Sequence, residues 1–235
     1  MTSGRPDGKA NKPLLRSWPV AGRGAESSEV ERIGDHLAGG GLLAYPTETS
    51  YGLGAAATEG GVEAVRRLKG RAADAPFLVL LPSGGDPVEA PKRWGLALPD
   101  AARNAAAGLW PGPLTMVLFD REARFPPGIR SASGGVAVRV SSHPFVEALM
   151  ALWDRPLIST SANRAGSQPT RSAREIVAAF EGLPMSEELW IVDAGMLTAS
   201  LPSTLVDFRL RRPRVLREGA LTFAELFRRV PELDR

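Results

Sequence analysis

The segment that most constrains this chain is a short apolar run, Leu42–Tyr45, which ends at Pro46 and passes into a polar stretch closed by Gly52 and Gly54. The apolar run predicts a buried β-strand. Because proline lacks the N–H that a β-ladder requires, we expect the chain to leave the strand and turn at Pro46. The hydroxyls and glycines that follow suit a loop that clasps a small polar molecule, and they suit an ordinary strand-to-helix connection equally. This segment alone leaves both interpretations open.

Hydrophobic periodicity along the rest of the chain predicts helices alternating with strands. Helices are expected from Ser28 to the glycines at 39–41, over about 60–69, in a short alanine-rich stretch ending near Gly108, and over 144–153 and 172–180. Strands are expected at 42–45, 77–81, 114–119, 136–140, 156–159, 189–192, 203–208 and 214–216, with residues 82–99 as a surface loop. This alternation predicts an α/β fold around a mixed β-sheet.

The first 24 residues differ in composition from the remainder of the chain. They mix Gly, Pro and basic residues without periodicity, which predicts a flexible basic tail over residues 1–24. Residues 25–235 contain all of the predicted helices and strands and are expected to form one domain.

Composition excludes several classes of protein. The chain has 235 residues, no cysteine and a formal net charge of +3. The lack of cysteine excludes disulfides, thiolate catalysis and cysteine-ligated zinc, and it favours a reducing compartment, so we expect a cytoplasmic protein. No stretch approaches the roughly 20 apolar residues of a membrane span, so no membrane partner is expected. Five arginines near the C-terminus predict either a solvated face or an RNA contact: Arg209, Arg211, Arg212, Arg214 and Arg217.

Familiar nucleotide and metal motifs do not account for the chain. It has neither a Gly-x-x-x-x-Gly-Lys-Ser/Thr loop nor a His-Glu-x-x-His pair, and two histidines are too few for a His-rich metal site. The stretch from Gly52 to Ala57 matches a loose dinucleotide pattern, but residues 46–51 separate it from the preceding strand. Since the dinucleotide fingerprint begins immediately after its strand, this spacing argues against a Rossmann site.

Polar groups stand instead at the ends of several predicted strands and one helix. Lys69 and Arg71 lie at the end of the second helix, and Arg139 lies in an apolar strand. The run Ser159–Asn163, which follows a further apolar strand, carries three hydroxyls and an amide. Two cations at a helix C-terminus are favoured by the helix dipole, and they are also able to grip a polyphosphate. Each feature taken singly could be a cap or a turn. Together they predict a pocket rimmed by loops.

These segments, in this order, resemble the YrdC-type threonylcarbamoyl-adenylate synthase family over about residues 26–220. The residues that carry the resemblance are the run from Tyr45 to Gly54, Lys69-Gly70-Arg71, Trp110-Pro111-Gly112-Pro113-Leu114-Thr115, Val138-Arg139-Val140, Ser159-Thr160-Ser161-Ala162-Asn163, Pro202-Ser203-Thr204 and Leu216-Arg217-Glu218-Gly219. The resemblance implies that residues 25–235 form a single YrdC-like catalytic domain, a twisted mixed β-sheet flanked by helices, with a basic concave pocket.

The resemblance also implies an activity. It is that of a nucleotidyltransferase, L-threonylcarbamoyladenylate synthase, which forms threonylcarbamoyl-AMP and pyrophosphate from L-threonine, bicarbonate or CO2, and ATP. The product serves the N6-threonylcarbamoyladenosine modification of tRNA. An RNA-binding or ribosome-associated module that uses the basic surface is the alternative function.

The resemblance assigns roles residue by residue. The catalytic residues are expected to be Lys69 and Arg71. The ATP-binding set is Lys69, Arg71, Ser161, Asn163 and Arg217, and the threonine-binding set is Thr47, Thr49, Tyr51, Thr115, Arg139 and Ser203, with Arg139 holding the threonine carboxylate.

The expected cofactor is Mg²⁺ carried by ATP, with no protein-held metal site. Glu48 is a candidate contributor to the magnesium, and the alternative is that it is a solvated loop carboxylate. The family implies a downstream threonylcarbamoyl-transferase complex as a partner, and direct contact with tRNA is left open.

Overall fold

The computed structural model describes residues 14–17, 27–72, 75–183 and 185–234. Ten strands lie in these residues: β1 Leu14–Ser17, β2 Leu42–Pro46, β3 Tyr51–Gly54, β4 Leu78–Leu80, β5 Leu114–Phe119, β6 Gly135–Arg139, β7 Leu157–Ser161, β8 Leu189–Asp193, β9 Thr204–Asp207 and β10 Arg214–Arg217. The helices of the same residues are α1 Ser27–Ala38, α2 Glu59–Lys69, α3 Ala90–Arg93, α4 Asp100–Leu109, α5 Pro144–Trp153, α6 Ala173–Phe180 and α7 Phe223–Phe227.

The strands form one mixed sheet in the order β1-β8-β2-β3-β7-β4-β6-β5-β9-β10. The pairs β1·β8, β2·β8, β4·β6 and β5·β9 are parallel. The pairs β2·β3, β3·β7, β4·β7, β5·β6 and β9·β10 are antiparallel. The predicted α/β fold with a mixed sheet and flanking helices is therefore confirmed.

The sheet is covered on both faces, as β2 illustrates. Successive side chains of a strand point to opposite faces, so Leu42 and Ala44 enter one apolar core while Leu43 and Tyr45 enter another. The first core receives side chains of α2, α4, α6 and α7, and the second receives those of α1 and α5. A central strand buried on both faces must be apolar throughout, which is why Leu42–Tyr45 lacks a polar alternation.

The chain turns at Pro46 as predicted, to within one residue, but Pro46 itself belongs to β2 and the turn leads into a strand, β3, that was not predicted. Pro46 is the last residue of β2 and pairs with Tyr51, the first residue of β3, so the polar stretch is the turn of an antiparallel hairpin. The Thr47 N–H donates to the Ser50 carbonyl over 3.1 Å, which makes Thr47 and Ser50 a hydrogen-bonded pair. Pro46 and Tyr51 then form a non-hydrogen-bonded pair, and the missing N–H costs the ladder with β3 nothing.

The glycines of β3 allow the close approach of the neighbouring strand. A Cβ on Gly54 would lie 2.0 Å from the Ile158 carbonyl oxygen of β7, and a Cβ on Gly52 would lie 3.0 Å from the Tyr45 ring. A glycine in a strand interior often marks such an approach. The two glycines that suggested a loop are thus required for β3 to pack between β2 and β7.

Three further elements were missed. The strand β1 pairs in parallel with β8 and lies within residues 1–24, which were predicted to be a flexible tail. That part of the prediction is wrong, and the remainder of the tail, residues 1–13 and 18–24, lies outside the described residues. The short helix α3 lies within the predicted loop 82–99, and α7 follows the last predicted strand.

We predict that Gly54→Ala destabilises the fold by about 1–3 kcal/mol, because the new methyl group would displace the Ile158 carbonyl and strain the β3·β7 pair. Urea unfolding followed by circular dichroism measures this loss. Gly60→Ala is the matched control, since Gly60 lies in α2 with its nearest contact 4.0 Å away and alanine favours a helix. Equal stability of Gly54→Ala and the parent protein would contradict the close packing of β3 against β7.

Candidate active site

A cavity of about 700 Å³ opens at the middle of the sheet. Its walls come from the β2–β3 turn, strands β3 to β7, β9 and β10, and the loops that precede α6 and β9. Eight of the predicted site residues line it: Thr47, Thr49, Arg71, Thr115, Arg139, Ser161, Ser203 and Arg217. Three do not, namely Tyr51, Lys69 and Asn163.

A larger surface groove, about 820 Å³, runs between the N-terminus of α2 and residues 123–132. Its polar lining includes both Glu59 and Arg130, and Arg130 lies 3.7 Å from the Asp120 carboxylate. The central cavity has instead four arginines and no carboxylate among its lining residues, which gives it a positive field for an anionic ligand. Its chemistry makes it the candidate site despite its smaller volume.

The β2–β3 turn brings two threonine hydroxyls to the cavity. The Thr47 hydroxyl donates to the Ser50 carbonyl over 2.7 Å and lies 3.2 Å from the Thr49 hydroxyl. Thr47 therefore fixes the turn, and Thr49 has the more available hydroxyl for a ligand.

The hydroxyl of Tyr51 binds backbone atoms of the β8–β9 loop. It donates to the Gly195 carbonyl over 2.9 Å and accepts from the Ala194 N–H over 2.9 Å. Both capacities of a phenolic oxygen as donor and acceptor are used, so Tyr51 ties β3 to the start of the β8–β9 loop.

Arg139 is buried in β6 and is held in place on two sides. Its Nε donates to the Gly112 carbonyl over 3.1 Å, and its Nη2 forms an ion pair with Glu48. Glu48 also accepts from the Ser141 hydroxyl over 2.6 Å. Burial alone would raise the pKa of Glu48, but the Arg139 guanidinium and the Ser141 hydroxyl lower that pKa below its ordinary value.

The contacts of Glu48 bear on the two roles considered for it. The side chain is 19% exposed, and its two oxygens are engaged by Arg139, Ser141 and the Ser142 N–H. The solvated-carboxylate interpretation is therefore wrong. The structure gives the carboxylate the task of fixing Arg139, and its suggested contribution to magnesium remains untested.

Opposite Arg139, a hydroxyl pair lines the cavity. The hydroxyls of Thr115 on β5 and Ser203 before β9 lie 2.8 Å apart. Arg217 on β10 donates from Nη2 to the Ser203 carbonyl over 2.8 Å. Burial and the nearby Arg139 lower the pKa of Arg217. Both arginines line the same cavity.

The pair Lys69 and Arg71 is divided by the end of α2. The helix ends at Lys69, and Gly70 takes a left-handed conformation with φ of 63°, a conformation that glycine adopts without strain. Arg71 then lines the cavity, where its Nη1 lies 3.3 Å from the Thr160 hydroxyl and its guanidinium lies 4.9 Å from the centre of the Phe77 ring. Lys69 is buried behind the cavity.

The ammonium group of Lys69 holds the turn that follows β7. It donates to the Ser161 carbonyl over 2.5 Å and to the Asn163 carbonyl over 2.6 Å, with the Asn163 amide oxygen at 3.4 Å. Burial and the nearby Arg71 lower the pKa of Lys69 to about 8, so the group remains charged at pH 7. Lys69 and Asn163 thereby position Ser161, which does line the cavity.

Sequence reasoning missed several lining residues. Ser159 and Thr160 belong to the singled-out run Ser159–Asn163 but were given no role, whereas Gln168, Arg171 and Ser200 were not noticed. Arg171 directly precedes Ser172, the N-cap of α6, and nothing in that position distinguishes a cavity residue from a surface residue.

The C-terminal arginines differ in their contacts. Arg209 is paired with Asp207 over 2.7 Å, Arg212 lies 3.6 Å from Asp234, and Arg217 lines the cavity.

Within the described ranges, no group of three or more His, Cys, Asp or Glu side chains could hold a metal ion. No helix of those ranges is both long and apolar enough to cross a membrane.

The chain is similar in sequence to proteins named threonylcarbamoyl-AMP synthase. The chain is 34% identical to the threonylcarbamoyl-AMP synthase of Pyrococcus abyssi over 195 residues, which are 83% of this chain and 55% of that protein. It is 36% identical to the threonylcarbamoyl-AMP synthase of Chromohalobacter salexigens over 183 residues, which are 77% of this chain and 94% of that protein. The chain thus spans about half of the first relative and nearly all of the second.

Solved structures of similar proteins share the fold of this chain. P. abyssi Sua5 complexed with L-threonine superposes with a TM-score of 0.80 at 30% identity, covering 94% of this chain and 62% of that one. E. coli YciO superposes with a TM-score of 0.73 at 21% identity, covering 92% and 99%, which shows a shared fold. A family model for Sua5, YciO and YrdC proteins, described as telomere recombination, matches residues 35–219. With its mixed sheet and arginine-lined cavity, this chain belongs to the Sua5/YciO/YrdC family.

Proposed function

We propose that this chain is an enzyme, an L-threonylcarbamoyladenylate synthase of the nucleotidyltransferase class. It would form threonylcarbamoyl-AMP and pyrophosphate from L-threonine, bicarbonate or CO2, and ATP. The observation that carries the proposal is one cavity that joins a buried hydroxyl-rich region around Arg139 to Arg71, Ser161 and Arg217. The relatives named threonylcarbamoyl-AMP synthase, and the Sua5 structure with L-threonine, support the same activity.

The buried part of the cavity suits a small amino acid. Thr47, Thr115, Arg139, Ser159 and Ser203 are all at most 6% exposed. Arg139 supplies a fixed guanidinium for the threonine carboxylate, since Glu48 and Gly112 restrain two of its nitrogens. The neighbouring hydroxyls supply partners for the amine and the hydroxyl of threonine.

The arginines suit the nucleotide. Arg71 and Arg217 present positive charge to the triphosphate. Ser161 adds a hydroxyl, and Lys69 holds the Ser161 backbone through its carbonyl oxygen. Mg²⁺ would arrive with ATP and be held chiefly by phosphate oxygens and water.

The reaction follows from this arrangement. The neutral threonine amine adds to CO2 and loses a proton to solvent to form a carbamate; with bicarbonate as the source, water leaves instead. A carbamate oxygen then attacks the α-phosphorus of ATP. The bond from the α-phosphorus to the bridging oxygen breaks, and that oxygen leaves on pyrophosphate. Charge develops on the phosphoryl oxygens and the leaving group, so the arginines catalyse by positioning and electrostatic stabilisation. No covalent nucleophile is required.

The product is a labile mixed anhydride, so the role in tRNA modification requires an enzyme that takes it over. A downstream threonylcarbamoyl-transferase complex is the proposed partner. The volume of the cavity lies within the range for small-molecule sites, which favours the synthase over an RNA-binding module. Direct tRNA contact is not required for the chemistry.

The first test is product formation. The purified protein with ATP, Mg²⁺, L-threonine and bicarbonate is expected to release pyrophosphate and to form a compound with the mass of threonylcarbamoyl-AMP, detected after a rapid quench. Omission of any one substrate is expected to abolish the compound. A folded protein that makes no adenylate under these conditions would refute the proposal.

Arg71→Ala is expected to lower kcat/KM for ATP by at least about 100-fold, because it removes a charge that stabilises the transferred phosphoryl group. Steady-state kinetics with ATP varied at saturating threonine measures the effect. Arg67→Ala is the matched control, since Arg67 lies outside the cavity and pairs at the surface with Glu187 and Glu63. Comparable activity of the two variants would remove Arg71 from the nucleotide site.

ATP binding is expected to be coupled to protonation of Lys69. In the protein without nucleotide the pKa of Lys69 is about 8, and nearby phosphates would raise it. Binding of ATP at pH 8.5 should therefore be accompanied by proton uptake. Calorimetric titrations in buffers of different ionisation enthalpy measure the uptake. At pH 7 Lys69 is already mostly protonated, and little uptake is expected there. Equal proton uptake at both pH values would show that Lys69 does not sense the nucleotide.

A further inference from the structure

The lining of the cavity divides into two sets by exposure. The inner wall consists of the buried residues Thr47, Gly52, Thr115, Arg139, Ser159 and Ser203. The outer wall is defined as the six exposed residues of the loops before α6 and β9: Gln168, Pro169, Arg171, Ala199, Ser200 and Pro202. Pro76 and Arg217 are the other exposed lining residues. Arg171 carries the positive charge of the two loops.

The backbone of Arg171 is fixed at this position. Its carbonyl accepts from the Leu197 N–H over 2.8 Å, which joins the two loops of the outer wall. Its N–H donates to the Glu175 carboxylate over 2.8 Å, and Ser172 caps α6 by accepting from the Glu175 N–H. The side chain therefore starts from a rigid point at the mouth of the cavity.

The guanidinium of Arg171, in contrast, has little to bind. Its Nη2 donates to the Met196 sulfur over 3.9 Å, and thioether sulfur is a weak acceptor. Across residues 14–17, 27–72, 75–183 and 185–234, no carboxylate oxygen lies within 4.0 Å of its guanidinium nitrogens. Its charge is thus available to a ligand.

The other arginines of the cavity differ from Arg171 in this respect. Arg139 is paired with Glu48, whereas Arg71 and Arg217 donate to hydroxyl or carbonyl oxygens. One carboxylate thus stands against four guanidinium groups, and the cavity holds a surplus of positive charge. A triphosphate carries the several negative charges that would neutralise this surplus, whereas zwitterionic threonine does not.

We propose that Arg171 is a nucleotide-binding residue that contacts the polyphosphate of ATP from the outer wall. The inference rests on the proposed synthase function and adds to it a residue outside the motifs that carry the family resemblance. The planar guanidinium matches phosphate oxygens with two parallel hydrogen bonds. Threonine already has Arg139 for its carboxylate, and adenine offers no negative charge.

The test compares ATP with AMP. Both are titrated in the presence of Mg²⁺, without threonine, into the full chain and into Arg171→Ala, Arg171→Lys and Arg174→Ala. Arg174 is the matched control because it is exposed on α6, three residues away, and does not line the cavity.

We expect Arg171→Ala to weaken ATP binding by about 10- to 100-fold, the effect of losing hydrogen bonds to a charged group. AMP binding should change much less, and Arg174→Ala should bind both nucleotides like the parent protein. Arg171→Lys keeps the charge without the planar fork and should fall between them. In turnover, Arg171→Ala should raise KM for ATP and leave KM for threonine nearly unchanged.

Other outcomes overturn the inference. If Arg171→Ala binds ATP as tightly as the parent protein, or if it loses AMP and ATP equally, Arg171 does not bind the polyphosphate. If Arg174→Ala loses as much ATP affinity, the effect is one of overall charge. In these cases the parent protein still makes the adenylate and the proposed function stands. A parent protein that neither binds ATP nor makes product refutes both.

Discussion

The ion pair of Arg139 with Glu48 is the interaction on which the cavity depends. A buried guanidinium is costly unless its charge and its hydrogen bonds are satisfied, and Arg139 is 3% exposed in the middle of the sheet. Glu48 supplies the counter-charge from the β2–β3 turn, and Ser141 holds Glu48 from the loop before α5. One carboxylate therefore joins the β2–β3 turn to β6 and the loop that follows β6, and it lets a cation face a ligand from within the core.

A second buried cation works differently. Lys69 binds backbone carbonyls after β7 and touches no carboxylate among the described residues, so it fixes the path of the chain at Ser161. The cavity thus combines charges that the fold holds in place, Arg139 and Lys69, with charges that are more available to a ligand, Arg71, Arg171 and Arg217. The reaction proposed for it requires both kinds, because positioning is of use only if the walls do not move.

The sequence predicts the helices and most of the strands well, because their apolar periodicity reflects burial on one or both faces of the sheet. It fails at β3, where the two glycines are needed for contact with β7 and Tyr45 rather than for a loop, and such contacts depend on distant residues.

The motif residues reach the cavity region, but their individual tasks do not follow from spacing. Tyr51, Lys69 and Asn163 place their polar groups on backbone atoms or on each other, and only coordinates reveal this. Arg171 has no sequence signal because an arginine before a helix cap is common at surfaces.

The hydroxyl of Tyr51 has a consequence for the entrance of the cavity. It anchors the β8–β9 loop at Ala194 and Gly195, the Leu197 N–H anchors it again at Arg171, and the Thr115 hydroxyl contacts it at Ser203. Residues 198–202 lie between the last two anchors, and three of them, Ala199, Ser200 and Pro202, line the cavity. This five-residue segment is held at both ends, so a change in its length would alter the shape of the cavity wall at the entrance.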